Sequence, residues 1–127
     1  MSQIPSIVSI ASIKKQLRAI KALAKVLAQY AKTTIADHDI CVLLEDIHDD
    51  IAALNLDDMM TVYDGFASAK ANFMVLAYYE PETIDRDFSD SMFSLSEKFE
   101  AVNTAISDRV DFECAVNRLQ AVGVSYE

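Results

Sequence analysis

The segment 10–32, IASIKKQLRAIKALAKVLAQYAK, decides the fold of this chain. Ile10, Ile13, Leu17, Ile20, Ala24, Leu27 and Ala31 recur at alternating spacings of three and four, which lays an apolar seam along one side of a helix. Leu23, Val26 and Tyr30 widen that seam, so the helix is expected to touch more than one partner helix. Lys14, Arg18, Lys21, Lys25 and Lys32 form a basic stripe elsewhere on its surface. The spacing predicts a helix from near Pro5 or Ser6, since proline costs nothing in a first turn. It should run to about Lys32, with Thr33-Thr34 ending it.

The rest of the chain repeats the pattern. Asp37 is an N-cap for a second helix reaching about Asn55, with Ile40, Leu44, Ile47, Ile51 and Leu54 as its seam and Leu43 beside them. Asp57-Asp58 suit the positive end of a third helix, whose seam is Met59, Val62, Phe66, Ala69, Phe73 and Leu76 and which stops before Pro81. Gly65 sits among small residues there. A mid-helix glycine costs about 1 kcal/mol relative to alanine, so either another helix approaches closely at Gly65 and Ala69 or the helix kinks.

Residues 80–88 form the longest connection. A fourth helix starts near Asp87 or Ser89 with the seam Phe88, Met92, Leu95, Phe99, Val102 and Ile106. The rhythm then slips, because Phe112, Val116 and Leu119 lie roughly 120° from the Ile106 face at about 100° per residue. One long helix with a local distortion is the first reading, and a fifth helix after a break near residues 107–111 is the alternative.

The expected fold is therefore all-α, an antiparallel four-helix bundle in one domain spanning 1–127. Only two Gly and two Pro support few turns and long helices. At roughly 1.5 Å per residue the first and fourth helices exceed about 40 Å and the second stays under about 30 Å. Their overhanging seams would expose apolar surface, which predicts a homodimer unless the long helices bend.

Charge is divided along the chain. Six of the eleven Lys and Arg residues lie within 1–36 and all twenty acidic residues follow, so about +6 and −15 make the net −9. A composition of 52% hydrophobic and 24% charged residues is that of a globular chain, not a disordered one. Cys41 and Cys114 form no disulfide framework, which points to a reducing, cytoplasmic setting. No apolar run approaches the roughly 18–20 residues of a membrane span. The acid-poor, Ser-containing start has some transit-peptide character, while a secretory signal fits badly because Lys14-Lys15 follow the apolar stretch.

Glu45, Asp46, Asp49 and Asp50 place like charges at i,i+4 twice, each pair costing a few tenths of a kcal/mol, and no Lys or Arg in that helix offsets them. Either a cationic partner docks on them, or the basic stripe of the first helix balances them within the molecule. Glu45 and His48 spell the Glu-x-x-His of di-iron bundles. A chain with two histidines, and no Glu in the first helix or inside the third, cannot complete that centre. His38 and Cys41 would need another chain to bind zinc.

Asp46/Asp49/Asp50 and Asp85/Asp87/Asp90 could hold Mg²⁺ for phosphate chemistry, but the first set lacks paired Glu-x-x-Glu spacing and capping explains the second. The basic stripe could meet nucleic acid or an anionic membrane, against a net charge that repels both. An acidic imitation of DNA fits the charge better, although the basic first helix counts against it. Tyr78, Tyr79, Phe88 and Phe93 cluster at the connection between the third and fourth helices, as a binding hot spot or as the closure of the bundle's end.

The expectation from sequence is a non-catalytic protein-binding module of inhibitor, antitoxin, immunity or adaptor type that masks a basic surface of a target protein. Its partner-binding residues would be Glu45, Asp46, Asp49, Asp50, Tyr78 and Tyr79, with no cofactor and no metal. A helical homo-oligomer serving as an assembly component is the alternative, and a metal-dependent helical enzyme a more distant one.

Overall fold

Ser9 has extended backbone, and its hydroxyl accepts the Ser12 N–H at 3.1 Å, so α1 (Ile10–Tyr30) begins immediately after it. The computed structural model describes residues 8–78 and 86–123. The expected start near Pro5 or Ser6 is thus displaced to Ile10, because the serine cap supplies a partner for an otherwise orphaned N–H. Thr33-Thr34 does not end the helical path. The Thr33 hydroxyl donates to the Gln29 carbonyl at 2.8 Å, and residues Ala31–Ile35 form a π-helical turn. The stop comes at Ala36, whose φ of 57° is left-handed and whose N–H donates to the Ala31 carbonyl.

α2 (His38–Ala52) follows at once, with the Asp37 carboxylate accepting the Ile40 N–H at 3.1 Å. α3 (Met59–Tyr78) is capped by Asp58, which accepts from the N–H groups of Met60 and Thr61 and from the Thr61 hydroxyl. That last bond is the main reason the Asp58 carboxyl is held below its usual value.

α4 (Arg86–Ala121) is one unbroken helix of 36 residues. The fifth helix with a break near 107–111 does not form. The slip in rhythm has another outcome: Val110 is the last buried residue, and Phe112 and Val116 are only half-buried. At about 1.5 Å per residue α4 spans roughly 54 Å against about 32 Å for α1. The overhang expected of two helices therefore belongs to α4 alone.

α1 packs on α2 and α4, and α3 packs on the same two helices. The predicted seams meet in the middle: Ile13, Leu17, Ile20, Ile40, Leu44, Ile47, Val62, Leu95, Val102 and Ile106 are at most 1% exposed. Burying one such side chain contributes about 1.5–3 kcal/mol, so this row supplies the cohesion. Phe99 stacks on both Phe66 and Phe73, with ring centres 5.3 and 4.6 Å apart, and ties α4 to α3. Gly65 has the close neighbour its position required. A Cβ there would lie 2.5 Å from Cδ2 of Leu54, so a side chain just beyond α2, not a helix backbone, fills the space. No helix among the described residues is long and apolar enough to cross a membrane.

Candidate functional site

α2 carries its acids on a 3.6-residue repeat, and the bundle divides them between two flanks. Glu45 and Asp49 turn toward α1, where they line a groove of about 470 Å³ with His48 opposite Lys25, Val26, Ala28 and Gln29. Asp50 turns the other way and accepts the Asn72 side-chain N–H of α3 at 2.8 Å. Asp46, one turn before Asp50, lies on that same flank and is exposed. The four residues are therefore not one patch.

Beneath Glu45, the buried Cys41 thiol donates to Glu45 Oε1 at 3.3 Å. Burial, and then this neighbouring carboxylate, push the thiol's pKa up, so Cys41 is held as an unreactive thiol. His48 Nδ1 is 3.0 Å from Asp49 Oδ1. No three His, Cys, Asp or Glu side chains converge as metal ligands among the described residues. Nor is any charged or polar residue buried among them.

One residue of the basic stripe, Lys25, lines this groove. Lys14 Nζ sits 2.8 Å from Asp57 Oδ1, and the lysine's hydrogen bond and charge hold the Asp57 carboxyl below its ordinary value. Because Lys14, Lys21, Lys25 and Lys32 share one side of the helix by spacing, the stripe runs along the α1–α2 boundary. Among the described residues, Lys25 is the one lysine lining the groove across from Glu45 and Asp49. Asp49 stands at the groove's rim, its side chain 75% exposed, and joins exposed Asp39 and Asp46 on the outward ridge of α2, a helix with no Lys or Arg.

The aromatic cluster also divides. Phe88 is buried and stacks on Tyr30 with ring centres 6.1 Å apart, closing the α1–α4 end. Tyr78 is 83% and Phe93 68% exposed. Tyr79 lies outside the described residues, as does Asp85.

One surface was missed from sequence. α3 is apolar outside as well as inside: Met60, Tyr63, Met74, Val75 and Tyr78 are 46–83% exposed. Its signal was present, since these residues follow the same three-and-four spacing as the inner seam on the opposite side. Comparison with protein families, curated proteins and solved structures found no match to this chain.

Proposed function

We propose that this chain is a non-catalytic, cytoplasmic protein-binding module, an antiparallel four-helix bundle that masks a basic surface of a target protein. The observation that carries this reading is the outward ridge of α2, where exposed Asp39, Asp46 and Asp49 surround Val42 without a cation on the same helix. A ridge of fixed like charges costs helix stability, and a cationic partner returns that cost as attraction and as faster association. The antiparallel arrangement is supported by contacts at matching heights: Lys14 with Asp57, Gly65 with Leu54, and Tyr30 with Phe88. Two free cysteines, one of them buried, suit a reducing compartment.

The test compares the tagged chain with its Asp46→Lys/Asp49→Lys variant in pull-downs from the native source at low salt. The unmodified chain should retain a stoichiometric partner that salt releases, and the variant should lose it while keeping its helical circular dichroism. Equal capture by both overturns the electrostatic mechanism.

A further inference from the structure

The outer face of α3 is a separate surface from the acidic ridge. Half of the ten large apolar side chains exposed among the described residues sit on this one helix. Met60, Tyr63, Ala67, Ala71, Met74 and Tyr78 follow one another at steps of three or four, a stripe along a single side of the helix. Val75 flanks it. The stripe reads the same from both ends: large, large, small, small, large, large. Ala67 and Ala71 are exposed at its middle, where the absence of bulk lets a second helix come close.

We propose that this stripe is the interface of a two-fold homodimer in which α3 packs antiparallel on α3 of a second copy. The order of side chains selects that occupant. Reversing the helix sets Met60 against Tyr78 of the second copy, Tyr63 against its Met74, and Ala67 against its Ala71. Each surface meets its own complement, which an isologous contact requires. The area suffices. The exposed fractions of the five large side chains amount to on the order of 600 Å² per copy, so full coverage of the stripe would bury the roughly 1,200 Å² at which specific interfaces begin. Charge agrees as well. In a chain of net −9, α3 itself carries one carboxylate, Asp64, and one ammonium, Lys70, so the helix that pairs is formally neutral, with Glu100 of α4 beside Met74 and Lys70. The contact lies on α3, not on overhanging helix ends, and it does not depend on what the acidic ridge binds.

The test is light scattering or sedimentation of the whole chain at tens of micromolar. The native sequence should show twice the 14.1 kDa chain mass. Ala67→Glu, which puts a good helix former on an exposed position, should return it to a single chain with helicity unchanged. Orientation is read by cysteine pairing. In a Cys114→Ser background, which removes the half-exposed native thiol, an equimolar mixture of Ala67→Cys and Ala71→Cys chains should cross-link on oxidation, while either alone should not, because a residue and its own copy lie beyond the ~7 Å Cα reach of a disulfide. A chain that is monomeric throughout, or an Ala67→Glu variant that stays dimeric, overturns the proposal. Cross-linking of either single variant alone overturns the antiparallel register.

Discussion

α2 and α3 lie side by side and bury the same kind of seam, yet they meet solvent in opposite ways. Outside α2 stand Asp39, Glu45, Asp46 and Asp49, with Val42 the one large apolar side chain exposed there, at 37%. Outside α3 stand Met60, Tyr63, Met74, Val75 and Tyr78, interrupted by Asp64. A helix with one wet side needs a polar stripe opposite its seam, and α2 has it. A helix apolar on both sides belongs between two layers, and α3 has only one layer of its own chain to cover it. The difference separates a surface wetted by charge from one that leaves large apolar side chains in water.

The largest effects should come from the faces the two helices share with the core. Leu44→Ala on α2 and Phe66→Ala on α3, both at most 2% exposed in the native fold, should each cost about 2–5 kcal/mol in urea denaturation. Against a typical total of about 5–15 kcal/mol, either could leave the chain partly unfolded. Costs under about 1 kcal/mol would mean that the inner faces are not the packed ones.

An intermediate effect should come from the start of α3. Asp58→Ala removes bonds to Met60, Thr61 and the Thr61 hydroxyl and should lower the urea midpoint at neutral pH, by less than the core substitutions do. The folded carboxyl has a lowered pKa. Its contribution is therefore whole above the unfolded aspartate value near pH 4 and is lost as pH falls through the lower folded value. Denaturation at pH 7 and at about pH 2 should show the gap between wild type and variant closing in acid. A gap that stays constant would show that the ionised cap is not what matters.

The smallest effects should lie on the outer faces, and their signs sharpen the contrast. Asp46→Lys removes the like-charge pair with Asp50 and should raise the unfolding free energy by a few tenths of a kcal/mol, while weakening capture of a cationic partner. Met60→Ser should change the unfolding of the dissociated chain by under about 0.5 kcal/mol, measured at nanomolar concentration, where a dimer would not contribute. If Asp46→Lys destabilised the chain, the ridge would be part of the fold and not an offered surface.

Much of this architecture is visible in the residue order. The seams of Ile13, Leu17 and Ile20, of Leu44 and Ile47, and of Phe66 and Phe99 are local repeats, so the side of each helix that goes inside follows from spacing alone. Asp37 and Asp58 act as caps through neighbours at most three residues away. The helix ends were less legible. Ser9 competes with Pro5 as a start through a single side-chain bond, and the stop at Ala36 depends on a left-handed alanine that nothing in its residue type announces.

The sequence by itself determined an all-helical chain, its four seams, its caps and the division of basic and acidic residues, because helical periodicity and capping are short-range properties. Only the tertiary structure decided where the charges go. It turned Glu45 and Asp49 toward Lys25 of α1, and Asp50 toward Asn72, because the flank of α2 that each acid occupies has meaning only once neighbours stand on both sides. It also decided which of two apolar stripes on α3 is covered. Spacing marks both alike, and only the positions of α2 and α4 leave one buried and the other in water.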